Sequence, residues 1–200
     1  MNDIERPSCI VIAGPNGAGK STAAPVLFEN YVGLPTYVNA DTIARGLSAF
    51  DPEDVASEAG RVMLDWLRKL AASGKDFAFE STLSGRSYIS LLRQFKVQYH
   101  YLVTIFYLWL PTVEQSRQRV EQRVRMGGHD IPLDALNRRH SRGLRNFLRD
   151  YSGVADRWVF FDSSRNEGLH PVAFKLQSDT IEIVDDIIWK QAHEQFDDQQ

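Results

Sequence analysis

The chain has 200 residues, a net charge of −3, 43% hydrophobic and 24% charged residues, and a single cysteine, Cys9. The length suits one α/β domain with a core that stands without disulfides, and an intrachain disulfide is excluded. The charge argues against a general nucleic-acid binder, although nine arginines and only three acids between Arg117 and Arg149 make that segment locally +6.

Residues 1–7 are polar, so no secretory leader is expected. Cys9-Ile10-Val11-Ile12-Ala13 reads as a buried strand over 8–13, with its thiol inert. Directly behind it stand Gly14, Pro15, Asn16, Gly17, Ala18, Gly19, Lys20, Ser21 and Thr22, which fit G-x-x-x-x-G-K-[ST] and open a helix running to about residue 30. Glycines let the backbone curl so that successive N–H groups and a helix N-terminus point at one anion. Lys20 then reaches the β/γ-phosphates of a nucleotide, and the Ser21 hydroxyl is placed to ligate Mg²⁺.

Residues 36–39 read as a short strand ending at Ala40-Asp41. Asp51-Pro52 reads as the start of a helix to about residue 72, with Asp51 as its cap. Phe77-Ala78-Phe79 is a strand ending at Glu80-Ser81-Thr82, followed by a helix over 86–95. Residues 99–110 are almost continuously apolar and read as a strand covered on both faces, too short to span a bilayer. Thr112 and Gln115 are spaced as a capping box for the next helix, which the Gly127-Gly128 stretch breaks before a further helix over 133–150. Trp158-Val159-Phe160-Phe161 is a late strand turned by Asp162-Ser163-Ser164, and 172–176 with 180–184 suggest a terminal hairpin followed by a short helix. Strands alternating with helices predict an α/β three-layer sandwich around a mostly parallel sheet. Its ligands sit beyond the carboxyl ends of the strands, where the P-loop, Asn39–Asp41 and Glu80–Thr82 all fall.

Phosphoryl transfer needs a cradle, a metal, a group that activates the acceptor and cations for the migrating charge. Asp41 and Glu80 are the acids at the predicted edge. An isolated strand-end Asp is usually a helix cap; beside a P-loop, Asp41 reads as a functional acid. Glu80 after an apolar strand is costly unless hydrogen-bonded or at a site. Arg119 and Arg123 share a helical face beside Val113, Val120 and Val124, and Arg138, Arg139 and Arg142 lie beyond the glycines. Such an arginine-bearing helical pair, roughly 112–150, reads as a lid over nucleotide phosphates, against a solvated face of ion pairs. His129 has no partner at metal-ligand spacing and reads as a lid residue. Trp66, Trp109, Trp158 and Trp189 read as core or partner contacts.

Gly14–Thr22, Val38-Asn39-Ala40-Asp41, Phe79 to Arg86, Arg119 to Pro132, Arg138-Arg139, Asn146-Phe147 and Asp162–Ser164 follow one another in a pattern that resembles the zeta-toxin family of P-loop kinases, in its short form often labelled as predicted ABC-type ATPases. The resemblance spans nearly the whole chain. It implies ATP and Mg²⁺, Asp41 as the acid that activates an acceptor hydroxyl, and Asn39, Glu80, Thr82 and Arg86 as acceptor contacts. It further implies Arg119 at the nucleotide and Arg123 and Arg139 at the transferring phosphate. Family members phosphorylate UDP-N-acetylglucosamine, so the resemblance implies a nucleotide-sugar acceptor and an antitoxin partner, while the polar first residues, the lone cysteine and the lack of a bilayer-spanning run fit a cytoplasmic enzyme.

Two other readings stand beside it. A switch or mechanical ATPase is disfavoured because Leu83-Ser84-Gly85-Arg86 lacks the second glycine of the ABC signature, and the 99–110 strand ends in Leu-Pro rather than Asp-Glu. A nucleic-acid kinase or binder is disfavoured by the acidic remainder of the chain and the lack of aromatic–basic alternation.

Overall fold

The computed structural model describes residues 6–29, 36–49, 54–128, 130–165, 168–176 and 180–197. Its centre is β1 (Ser8–Ala13), paired in parallel with β3 (Phe77–Ser81) on one side and β4 (Leu102–Trp109) on the other. β2 (Thr36–Val38) lies parallel outside β3, and β5 (Arg157–Asp162) parallel outside β4. β6 (His170–Lys175) and β7 (Glu182–Ile183) add antiparallel, giving the order β2-β3-β1-β4-β5-β6-β7.

The helices are α1 (Lys20–Phe28), α2 (Ala40–Leu47), α3 (Ala56–Ala72), α4 (Ser87–Tyr99), α5 (Val113–Arg125), α6 (Leu133–Asn146), a short α7 (Ser152–Val154) and α8 (Asp186–Asp197). Side chains alternate across a strand, and β1 divides its residues between two cores. Cys9, Val11 and Ala13 join the larger core with Met63 and Leu67 of α3, Phe95 of α4 and Leu144 of α6. Ile10 and Ile12 join Ala23, Ala24 and Phe28 of α1 on the opposite face. A strand covered on both sides carries an unbroken apolar run, which is why its sequence does not alternate. Burial pushes the Cys9 thiol far up, so it is a packed, unreactive side chain.

The mostly parallel, helix-covered sheet is the predicted P-loop, kinase-like sandwich, with differences at particular ends. The helix expected from Asp51 begins at Ala56, and Asp51 and Pro52 themselves lie outside the described residues. The strand expected from Tyr99 begins at Leu102, because α4 runs through Tyr99 and ends on His100 at a left-handed φ of 58°. The helix expected to reach residue 150 turns into a π-helical segment at Phe147–Tyr151. That wider turn brings the Tyr151 hydroxyl to the Gly85 carbonyl at 2.6 Å. The terminal hairpin is present, and β6 also pairs with β5, so the antiparallel part has three strands.

Gly14, the first P-loop residue, has φ of 136°, and a Cβ there would lie 2.2 Å from the Leu108 carbonyl oxygen on β4. We expect Gly14→Ala to destabilise the protein by about 2–3 kcal/mol. The loss would be read as a lower urea midpoint at unchanged m-value.

Candidate active site

The cradle follows from local conformation. Gly17 and Gly19 adopt φ near 80°, and Gly19 caps α1 so that the helix N-terminus opens toward the loop interior. A Cβ on Gly17 would stand 2.8 Å from the Ser116 carbonyl oxygen, so the bare glycine lets α5 press against the loop. The Lys20 ammonium donates to the Gly14 and Pro15 carbonyls, both at 2.9 Å.

At the end of β2, the Asn39 side chain accepts from the backbone N–H groups of Asp41 at 2.7 Å and Thr42 at 3.4 Å. Asn39 is therefore the cap of α2. The Asp41 carboxylate is thus not spent on the helix terminus, which leaves it available in the way its place beside the P-loop leads one to expect. At the end of β3, one oxygen of Glu80 accepts from the Ser21 hydroxyl at 2.6 Å and also from the Tyr37 hydroxyl. Burial, then the Glu80 carboxylate, push the Tyr37 phenol well above its ordinary value.

The loop after β3 is pinned from the lid side. Leu83 is fully buried at φ 51°, a conformation uncommon for a side chain of this kind. Its carbonyl is met by the Asn146 amide at 2.8 Å. A Cβ on Gly143 would lie 2.5 Å from the Thr82 carbonyl oxygen, so α6 lies with its backbone against that loop. The hydroxyls of Thr82 and Ser84 bond each other at 2.9 Å.

These parts surround one cavity of about 520 Å³. Of the residues singled out in the sequence, Asn16, Gly17, Gly19, Lys20, Ser21, Thr22, Asn39, Asp41, Glu80, Thr82, Arg119, Arg123 and Arg139 line it. Gly14, Pro15 and Ala18 are not in its lining. Arg86 is not either: its guanidinium pairs with Asp150 at 3.2 Å. Burial lowers the pKa of Lys20; Glu80 and Asp41 pull it back up, while Arg123 and Arg139 push it further down. Three cations and two acids thus act on one another across a single space, and the cation surplus favours a polyanion there.

Arg119 sits at the rim with its guanidinium held by backbone. It donates to the carbonyls of Ser163 at 2.7 Å, Ser164 at 3.0 Å and Gly17 at 3.4 Å. The Ser163 hydroxyl adds a 2.6 Å bond to the Ala18 carbonyl, so the turn after β5 is tied to the cradle. Other arginines of the basic segment belong to a solvated face: Arg117 pairs with Glu114 and Glu121, and Arg138 with Asp134. The α5–α6 pair has its own small core of Val120, Ile131, Ala135 and Leu136, with Val124 against it. Val113, expected in that stripe, is exposed. His129 lies outside the described residues. A Cβ on Gly128 would meet Arg123 Cγ at 2.5 Å, so the glycine turn allows that arginine its place.

Sequence reasoning missed Tyr37, Ser84, Gly85, Tyr88 and Met126 as site residues. Tyr37 had a usable signal, since it stands two residues before Asn39 and so shares its side of the strand. Tyr88 and Met126, both in the cavity lining, carry none.

The sequence matches the AAA domain family over residues 9–147. An uncharacterized protein of Haemophilus influenzae (strain ATCC 51907 / DSM 11121 / KW20 / Rd) is 30% identical over 131 residues, which cover 66% of this chain and 91% of that protein. Among solved structures, AvrRxo1-ORF1:-ORF2 with ATP superposes with a TM-score of 0.76 at 18% identity over 94% of this chain. The chain spans 63% of the length of that structure's chain. The PezAT chromosomal toxin–antitoxin system of Streptococcus pneumoniae gives a TM-score of 0.62 at 14% identity, covering 97% of this chain and 87% of that one. At these identities the likeness is one of fold, and it agrees with the P-loop, kinase-like sandwich expected from the sequence. No helix among the described residues is long and apolar enough to cross a membrane.

Proposed function

The chain belongs to the AAA domain family, and on that footing we propose that it is an ATP-dependent kinase that moves the γ-phosphate to a hydroxyl of a small acceptor, a nucleotide sugar by the family resemblance. The observation that carries this reading is the position of Asp41: a carboxylate released from helix capping by Asn39, in the same cavity as Lys20 and two lid arginines.

In this reading Asp41 accepts the proton of the attacking hydroxyl. Lys20, Arg123 and Arg139 hold the equatorial oxygens as negative charge spreads over the migrating group. Asn39, Glu80 and Thr82 orient the acceptor, while Arg119 flanks the nucleotide from its carbonyl clamp. The hydroxyl of Ser21 and the carboxylate of Glu80, hard oxygen donors 2.6 Å apart, fit Mg²⁺. When bound, the ion would neutralise the β- and γ-phosphate oxygens. The α5–α6 pair acts as the lid, and the whole chain works as one kinase unit. We place the protein as the toxin of a toxin–antitoxin pair with an antitoxin as partner, a reading supported by the fold shared with the PezAT structure.

The test is ATP consumption with Mg²⁺, alone and with a panel of UDP-sugars, other nucleotide sugars and short oligonucleotides, with products taken to mass spectrometry. A phosphate added to a nucleotide sugar supports the proposal. Turnover that ignores every acceptor would favour a switch ATPase, and steeply salt-dependent oligonucleotide phosphorylation would favour a nucleic-acid kinase. Arg139→Lys should lower kcat roughly 10- to 100-fold and leave KM for ATP within about threefold, because the planar fork matters most as charge develops. Steady-state kinetics with both substrates varied would decide it.

A further inference from the structure

Tyr37 reaches the site from an unpromising place. β2 is the outermost strand on its side of the sheet, and Tyr37 stands 36% exposed on it. A phenol at such an edge can pack by its ring and leave its hydroxyl in water. Here the ring meets Phe28 of α1 edge-on, with centroids 5.7 Å apart, while the hydroxyl turns inward and donates to Glu80.

Strand register explains the reach. Tyr37 lies beside Ala78 of β3, Ala78 beside Ile10 of β1, and Glu80 beside Ile12. Residues two apart on a strand share a face. Ile10, Ile12 and Ala78 pack on α1, so Tyr37 and Glu80 lie on that same side, where the first turn of α1 carries Ser21. The small Ala78 leaves the phenol room to lean along the strand direction to Glu80. Oε1 of Glu80 therefore takes two hydroxyl donors, Ser21 at 2.6 Å and Tyr37, and among the described residues Oε2 makes no hydrogen bond. One donor would hold a flexible glutamate at a single point; two donors converging from α1 and β2 fix the carboxylate more firmly.

We propose that Tyr37 is a positioning residue: by anchoring Oε1 of Glu80 from β2, it holds the Glu80–Ser21 pair in the arrangement that receives Mg²⁺. The inference rests on the metal–nucleotide site proposed above, and it assigns a task to a side chain outside the lining of the catalytic cavity. Hydrogen-bond partners of a metal-binding carboxylate raise its affinity, because a ligand already oriented loses less freedom when the ion arrives. Tyr37 and Ser21 thus act on one oxygen, the serine from the phosphate loop and the tyrosine from the sheet edge.

The test is Mn²⁺ binding to the full chain in complex with a non-hydrolysable ATP analogue, read by electron paramagnetic resonance. Tyr37→Phe keeps the ring against Phe28 and removes only the donor. It should weaken Mn²⁺ binding roughly 10-fold and leave analogue affinity in EDTA within about twofold of wild type. In a Glu80→Ala background the same substitution should cost nothing further, because its effect runs through that carboxylate. Wild-type Mn²⁺ affinity in Tyr37→Phe, or an equal loss with and without Glu80, would overturn the assignment. Phosphate transfer is scored separately. Tyr37-dependent Mn²⁺ binding without transfer to any acceptor would remove the kinase reading and leave Tyr37 in this role. Transfer by Tyr37→Phe with an unchanged KM for Mg²⁺ would remove the role and leave the kinase reading.

Discussion

Asp41→Asn is expected to stop phosphate transfer while ATP still binds, with kcat falling roughly 10³- to 10⁴-fold. The substitution is nearly isosteric. The α2 cap is made by Asn39, so the helix start stays in place and the loss is chemical rather than structural. Asparagine can still hydrogen-bond the acceptor hydroxyl, but it cannot take its proton. Calorimetric titration with ATP should give a Kd within about threefold of wild type, and acceptor phosphorylation should vanish from mass spectra. Full activity in this variant would remove Asp41 as the base, and Glu80, the other acid of the cavity, would be the next candidate.

Lys20→Ala should lose both binding and turnover. The Lys20 ammonium bonds the loop's own Gly14 and Pro15 carbonyls, and its pKa is drawn down mainly by burial. A cation disfavoured in its setting gains most when an anion arrives, so removing it costs both ground-state and transition-state contacts. Turnover should fall by about 10³-fold or more and ATP affinity by at least roughly tenfold. Thermal unfolding should move little, since the side chain holds no element beyond the loop. The contrast with Asp41→Asn, which spares affinity, separates the cradle from the acceptor chemistry in one pair of titrations.

The legible parts of the molecule are those whose physics is local. An apolar pentapeptide followed by a glycine-rich phosphate motif announces β1 and the turn after it, because both the strand and the loop are written in neighbouring residues. Asp41 and Asn39 are a harder case. Either can cap a helix, and only the hydrogen bonds from the Asp41 and Thr42 amides decide which one does. The basic segment held a signal that charge counting overlooks. Arg117 and Arg138 have acids one helical turn away and are spent on them, whereas Arg119, Arg123 and Arg139 have none at that spacing and face the cavity. Arg86 was out of reach, because its partner Asp150 comes from a distant helix end. Trp66 was likewise illegible, since an apolar residue on an amphipathic helix gives no sign that it stands 46% exposed, unlike the buried Trp109 and Trp158.

The placement of β1 in mid-sheet has a consequence for biosynthesis. The strand that carries the phosphate loop leaves the ribosome well before either of the strands that flank it, β3 and β4. Gly14 is packed on the backbone of Leu108, and Gly17 on that of Ser116, so the loop has nothing to lean on until those residues exist. Domains fold as units, and non-local parallel pairing is slow. A nascent chain that ends before Trp109 therefore carries the entire phosphate-binding motif and none of its capacity.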